Sequence, residues 1–424
     1  MRFFRDVLFV VVTSAAFILL LEGGLRLAHV RSQASFYQPE QERVFALRPD
    51  AAGWNVSENE NYVHINSDGM RDHERPISRP RNTLRIAILG ASEAEGRQVP
   101  LEKTFASVLN RHLDQALSPL GQSVDVMNFA VNGYTFSQQY LTLHNHVWKY
   151  DPQIVILTLV VPNIFKNTRE LNWAEPPPPF YVLQNGHLVP DDPTRAGLAL
   201  NPKLLYWKNR FADWMNCSAL LSLLNEALNQ ARVELQKAHH ALAAATGLGK
   251  TTATYGGRPG DQLTRSTYLP YAPETQEAWA IGEAFLDAMR EDCSVHGAEF
   301  WVVTVDSEIQ SNPSLPERAR FVSEMRIPSL AESDLRIEHF GDTHGIPIIL
   351  LAPPLGDYAA AHGIALHGFS HPTFNTGYWP ANTGHWNELG HELAGTVVAQ
   401  QLLQRSSVVR SWTSAANLNL PRPH

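Results

Sequence analysis

Cysteine is nearly absent from this 424-residue chain. Its two cysteines, Cys217 and Cys293, lie far apart and in no C-x-x-C spacing, which excludes a thiolate zinc centre or a dithiol redox centre. One disulfide between them and two separate thiols both stay open, the first requiring an oxidising compartment. Positive charge is not in surplus either. Thirty-four Lys and Arg stand against 42 Asp and Glu, a net charge of −8, so no broad cationic face is left for nucleic acid. Charged residues make up only 18% of the chain and apolar ones 44%. That is enough for a full core and excludes global disorder. No internal repeat or long charge block occurs. The length fits two or three domains, or one α/β domain with insertions.

What is present begins with an apolar run, Val7–Leu21, behind Arg2 and Arg5. Its fifteen residues rise about 22 Å as a helix, against roughly 30 Å of bilayer hydrocarbon. Extension to Leu25 nearly reaches that length and tolerates Glu22 near the boundary. The residues after Leu21 offer a poor small-x-small cleavage site, so the segment reads as an uncleaved anchor rather than a removed signal peptide. Arg26 and Arg31 nearly balance Arg2 and Arg5, and the positive-inside rule leans only slightly towards a cytoplasmic Arg2.

Beyond a polar stretch ending near Arg81, short apolar runs alternate with helical spacing. Strands are predicted at Leu84–Leu89, Val124–Phe129, Ile154–Val161, Phe300–Val305 and Ile346–Leu351. Helices are predicted at Leu101–Leu117, Phe136–Val147, Thr275–Val295, Leu330–His344 and Asn387–Leu403, with Asn387 capping the last. The rhythm breaks between about 165 and 275. There Pro176–Pro179, a stretch of helix formers at Leu204–Ala245 and a Gly/Thr/Pro-rich loop at Gly247–Pro270 read as an insertion, a cap over whatever lies beneath. Alternating strands and helices imply a parallel sheet with right-handed crossovers, whose ligands sit outside the strands' carboxyl ends.

Four segments stand at those ends. The first is Gly90-Ala91-Ser92-Glu93, where a serine at a strand-to-helix turn presents its hydroxyl and a free backbone N–H. The second is Asn132-Gly133-Tyr134, where a glycine N–H can approach a reacting carbonyl. The third is Val161-Pro162-Asn163, whose amide can donate to developing negative charge. The fourth runs from Thr383 to His391 and holds His385, where a neutral imidazole can accept and return a proton. Each alone has an ordinary alternative: a turn serine, a plain turn, a helix cap and a structural histidine.

Taken in order, the set resembles the SGNH, or GDSL-type, hydrolase superfamily, in the manner of its membrane-anchored bacterial members. The resemblance runs from about Asn66 to Leu403. It implies an α/β fold, a three-layer α/β/α sandwich on a five-stranded parallel flavodoxin-like sheet with a helical and loop insertion, and no cofactor. It also implies Ser92 as nucleophile and His385 as general base, with an oxyanion hole from the Ser92 and Gly133 N–H groups and the Asn163 side chain. The substrates it implies are acyl esters, including acylated carbohydrate. The sequence departs from the pattern at Ala91, at Ile164 and, bearing most on chemistry, at Asn382, where the triad Asp is expected. Asn382 can orient His385 but supplies no charge. A backbone carbonyl, Glu93, Glu95 or Asp357 are the substitutes the sequence offers.

The expected organisation is an anchor or signal segment over 1–35, a hydrolase-like domain over 36–406 and a tail over 407–424, with the domain extracytoplasmic and the membrane its partner. Three further readings stay open. The serine chemistry would equally serve an O-acyltransferase of envelope polysaccharide. Asn382 and Ala91 suit a catalytically silent binding protein that keeps the fold. His367 and His371, with His385 and His391, suggest a metal site, although Gly368 and Pro372 argue against a helical i, i+4 pair.

Overall fold

The computed structural model describes residues 2–172, 177–191, 201–245, 262–369 and 382–412. The chain opens with α1 (Arg2–Leu27), a helix of 26 residues with none buried. Its most apolar stretch has mean hydropathy 2.2, so it is long and apolar enough to cross a membrane. Glu22 near its end is not left bare. It pairs with Arg26 at 2.6 Å and accepts the Ala219 and Leu220 N–H groups at 3.0 Å.

Two antiparallel hairpins follow, β1 (Tyr37–Glu40) with β2 (Val44–Leu47) and β3 (Ala52–Asn55) with β4 (Asn61–His64). The sequence reading assigns no element here, because strands of four residues are too short for alternation to stand out. What holds them is a small cluster of Phe36, Leu47, Ala51, Val63 and Ile65 packed on Val131 and Tyr134.

The α/β core then runs through β5 (Thr83–Leu89), α2 (Ser92–Glu95), α3 (Phe105–Leu117), β6 (Ser123–Asn128), α4 (Phe136–Thr142) and β7 (Ile154–Leu159). A hairpin of β8 (Tyr181–Gln184) and β9 (His187–Pro190) comes next, with helices α5 (Pro202–Cys217), α6 (Ala219–Ala245) and α7 (Gln262–Ser266). The core resumes with α8 (Gln276–Val295), β10 (Glu299–Thr304), α9 (Leu315–Met325), α10 (Glu332–His344), β11 (Ile348–Leu350), α11 (Ala352–His362) and α12 (Glu388–Arg405). Residues 407–412 add a last helical turn, with Val409 buried.

Five strands form one parallel sheet in the order β6-β5-β7-β10-β11, the flavodoxin-like arrangement. All seven residues of β5 and all six of β7 are buried, as expected when helices cover both faces. Alternate side chains of β5 enter different layers. Leu84, Ile86 and Ile88 pack with Phe105, Leu109 and Leu113 of α3 and with Val398 and Leu402 of α12. Ala87 and Leu89 pack with Phe136 of α4 and with Phe285 and Met289 of α8. The strand order reverses between β5 and β7, so the loops leaving their carboxyl ends diverge and open a crevice there.

The five strands and the five helices expected from the sequence are all present, with ends shifted by a few residues. The helix expected over Phe136–Val147 is α-helical to Thr142 and then widens into a π turn at Leu143–Val147. Among the helices beyond expectation, α9 and α11 both open on proline at a first-turn position, and the short α7 lies in the stretch expected as the Gly247–Pro270 loop. Within the insertion, α5 docks on the N-terminal hairpins through Asn209 to Gln38 and Asn216 to Ala52. Most of the Gly247–Pro270 loop lies outside the described residues.

Candidate functional site

Gly90 ends β5 where the chain must pass close to β7: a Cβ there would sit 1.9 Å from the Thr158 hydroxyl oxygen. The chain then turns at once into α2, with Ser92 as its first residue. The Ser92 N–H has no partner among the described residues, so it remains available to an incoming oxygen. The Ser92 hydroxyl donates to Glu93 Oε2 at 3.0 Å.

The second and third segments meet beside this turn. Gly133 has φ +83°, a left-handed conformation that a side chain disfavours. Space is not what demands glycine there, since a Cβ would find its nearest atom at 3.7 Å. The loop is tied to α2 by the buried carboxylate of Glu95, which accepts the Asn132 N–H at 2.5 Å and faces the Tyr37 hydroxyl at 3.2 Å. Asn163 is buried just past β7, with its amide Nδ2 3.4 Å from the Tyr134 carbonyl. Ser92, Gly133 and Asn163 are thus gathered round the crevice between β5 and β7.

His385 arrives from the other end of the chain. Its loop is held against residues 366–368 by a short antiparallel bridge, with Gly368 N–H on the His385 carbonyl at 3.0 Å and Asn387 N–H on the Leu366 carbonyl at 2.9 Å. As expected, Asn387 caps the following helix, accepting the Leu389 and Gly390 N–H groups. The His385 ring places Nδ1 2.5 Å from Glu58 Oε1, and its backbone N–H donates to Glu58 Oε2 at 3.1 Å. Nε2 points the other way, 3.9 Å from Glu93 Oε1. The Ser92 hydroxyl and the His385 Nε2 therefore face the two oxygens of one carboxylate, that of Glu93.

The group on Nδ1 is Glu58, not Asn382. Asn382 sits in a left-handed turn at φ +65° and donates its backbone N–H to the His367 carbonyl at 2.9 Å. The reason lies in the hairpin β3–β4. Its tip carries Glu58 and is pinned to the chain after α2 by Asn59 Nδ2 on the Gln98 carbonyl at 3.0 Å and Asn61 Nδ2 on the Val99 carbonyl at 2.7 Å. The substitute acids offered by the sequence go elsewhere. Glu95 holds Asn132 and Tyr37, Asp357 lies on α11, and Glu93 faces Ser92 and Nε2 rather than Nδ1. Nothing in the sequence around Glu58 singled it out; a polar hairpin tip reads as surface.

Burial alone would raise the Glu58 carboxyl, but its hydrogen bond and attraction to His385 prevail and hold it below the usual range. Burial alone would lower the His385 imidazole, but the charge of Glu93 and the bond to Glu58 prevail and raise it. A cavity of about 210 Å³ reaches Glu93, with Asn163, Lys166, Tyr268 and His367 also in its wall; Ser92, Gly133, Glu58 and His385 do not line it. Burial pushes Lys166 down to about 8, with Glu93 acting in the opposite sense. Among the described residues the two ends of the insertion reach this cavity, through Lys166 at one end and Thr267 and Tyr268 at the other.

The histidines offered as metal ligands are otherwise engaged. His367 uses Nδ1 on the Gly384 carbonyl at 2.9 Å and Nε2 on Asp306 at 3.0 Å. His391 Nδ1 accepts the Phe105 N–H at 3.1 Å, and burial pushes that ring down to about 3. His371 lies outside the described residues. No cluster of three or more His, Cys, Asp or Glu suited to a metal occurs among the described residues.

The sequence matches no protein family and no curated protein. Solved structures with a similar layout include the lipase/acylhydrolase from Enterococcus faecalis, at 12% identity over 76% of this chain and 96% of that one, with a TM-score of 0.32. A catalytic mutant of an acetylxylan esterase from Geobacillus stearothermophilus is 10% identical over 76% of this chain and 92% of that one, with a TM-score of 0.34. A GDSL-like lipase from Bacteroides thetaiotaomicron is 10% identical over 76% of this chain and 88% of that one, with a TM-score of 0.30. At these values the similarity says nothing about what this chain binds or turns over, which its own residues must decide.

Proposed function

We propose that this protein is a membrane-anchored acyl-ester hydrolase with Ser92 as nucleophile, His385 as general base and Glu58 as the acid that orients the base. The observation that carries the reading is the His385 ring, which gives Nδ1 to a buried carboxylate and keeps Nε2 for the Ser92 turn. With the Nδ1 proton held by Glu58, the bare lone pair is on Nε2, the nitrogen facing the serine. In the resting arrangement the Ser92 hydroxyl donates to Glu93, and a rotation about its χ1 bond is needed to hand that proton to Nε2. Ser92 then attacks the acyl carbonyl, and the imidazolium formed returns its proton to the leaving alcohol. Water attacks the acyl-enzyme in the second half of the cycle.

The negative charge that develops on the carbonyl oxygen falls to the Ser92 and Gly133 N–H groups and the Asn163 amide. The substrate class is an acyl ester, with acylated carbohydrate among the candidates that the sequence resemblance implies. In this reading α1 is the anchor and the domain lies on the extracytoplasmic side, in keeping with the slight lean of Arg2 towards the cytoplasm. A carboxylate on Nδ1 removes the main ground for a silent binding protein, which was the missing charge at Asn382.

The test is labelling of the full chain in detergent by a fluorophosphonate, alongside turnover of p-nitrophenyl acetate. Labelling that disappears in Ser92→Ala and falls in Glu58→Gln is expected. A folded wild-type protein that neither labels nor turns over ester would end the reading. Added glycan acceptor then tells whether the acyl group passes to water or to sugar.

A further inference from the structure

Helix α5 is amphipathic in the reverse of the usual sense. Its polar face, Asn209, Asp213 and Asn216, is spent on the protein. Asp213 pairs with the buried Arg48, Asn209 Nδ2 donates to Gln38 at 2.6 Å, and Asn216 Nδ2 donates to the Ser35 and Ala52 carbonyls at 3.2 Å. Its apolar face is turned outward. Leu204, Trp207, Phe211 and Trp214 follow one another at three- and four-residue steps and are 57–69% exposed. At 3.6 residues per turn the centres of the two faces lie about 170° apart. Folding that presents two tryptophans, a phenylalanine and a leucine to water, while turning three partly buried polar side chains onto the protein, leaves an apolar patch unexplained by the protein's own core.

The position of the helix indicates what covers this face. The joint between α5 and α6 is bolted to the end of α1. Arg26 Nη2 donates to the Cys217 carbonyl at 2.5 Å, closing the end of α5, while Glu22 accepts the Ser218 hydroxyl and the first N–H groups of α6. Where α1 leaves a bilayer, α5 is therefore held at the same depth. Lys208 flanks the apolar face on one side, and Lys203 and Arg210 on the other, all exposed. A cleft of about 800 Å³ beside the joint is lined by Arg26, His29, Arg31 and Arg210, among others. Aromatic residues between cations are the composition of a helix lying in the headgroup layer, with the rings at the acyl boundary and the charges near phosphate.

We infer that the Leu204–Trp214 face of α5 lies in the interfacial layer of the bilayer crossed by α1, so that the domain is held flat on the membrane by two elements. The inference rests on α1 being a membrane span. It is independent of the chemistry at Ser92.

The experiment uses the full chain with Cys217→Ser, reconstituted one copy per nanodisc of phosphatidylethanolamine and phosphatidylglycerol. Nitroxides are placed at Ile18→Cys in α1, at Trp207→Cys and Phe211→Cys in α5, and at the exposed Val295→Cys. Power saturation against oxygen and a water-soluble nickel chelate reads depth. Labels at 207 and 211 protected from the chelate and reached by oxygen, shallower than the one at 18 and unlike the aqueous one at 295, are expected. A deep label at 18 with aqueous labels at 207 and 211 overturns the inference and leaves the anchor standing. An aqueous label at 18 overturns both. Protection at 207 that arises only with two chains per disc assigns the face to a second copy and also overturns it.

Discussion

His367 and His385 flank the same short bridge, and each faces a carboxylate, yet their surroundings give them different work. His367 is buried against Asp306 and uses both ring nitrogens as donors, one to the carboxylate and one to the Gly384 carbonyl. The attraction of Asp306 outweighs the effect of burial and pushes the ring up to about 9. An imidazolium with both N–H groups committed has no lone pair to offer. Asp306 also accepts the Trp386 indole N–H at 2.8 Å, so the pair clamps both sides of the bridge that carries His385. His385 bonds its carboxylate through one nitrogen only and leaves the other towards the Ser92 turn. A histidine beside an acid is thus no sign of catalysis. The second nitrogen decides, and only the fold assigns it.

Several changes would break or sharpen this contrast. The largest effect is expected for Ser92→Ala, which should lower ester turnover by about 10⁶-fold, the size seen when a serine nucleophile is removed elsewhere. Circular dichroism of the variant should be unchanged. Glu58→Gln comes next, with turnover down about 10⁴-fold, the loss that follows when a serine-protease triad acid becomes an amide. Equal losses on altering Asp306 and Glu58, with stability intact in both, would erase the distinction drawn between the two pairs.

Asp306→Ala should instead act on stability. It leaves the His367 charge buried without a partner, at a cost of about 3–5 kcal/mol, read as a lower denaturation midpoint. The sign with pH follows from the raised pKa. The His367 contribution is fully present below its unfolded value near 6.5 and is lost as pH rises towards about 9. His391 behaves oppositely: its ring is held neutral, so its contribution is present above about 6.5 and is lost as pH falls towards about 3. Wild-type stability should therefore decline on the alkaline side, and His367→Gln should remove much of that decline. The same variant should leave the midpoint of the pH–rate profile in place.

That profile tests His385. The base must be neutral to act, so kcat/KM should rise with pH through a midpoint above the ordinary imidazole value. Glu93→Gln should move the midpoint down, since Glu93 contributes most to raising it. The smallest effect is expected for Asn382→Asp. With Nδ1 already on Glu58, turnover should not change; a clear gain would return the acid's place to position 382.

The sheet was legible because its strands are short, nearly continuous runs of Val, Ile and Leu bounded by turn residues, and burial on both faces demands such runs. Ser92, Gly133 and Asn163 were legible as candidates for a related reason, since each directly follows a strand. Helix α9 was not, because most of its residues stay at least partly exposed and only Met325 is buried, so no strong apolar stripe marks it. Glu58 was not legible either. Its strands have four residues each, its neighbours are Asn, Ser and Glu, and its partner lies at the far end of the chain.

Local order along the chain determined the parallel α/β layout and the turns that carry Ser92, Gly133 and Asn163, because strand periodicity and turn chemistry act over a handful of residues. Tertiary structure alone decided which acid meets His385, which histidine keeps a free nitrogen and which face of α5 is left to the outside. Those choices depend on packing between segments remote in sequence, where a polar hairpin tip and a polar helix face find partners that no local pattern announces.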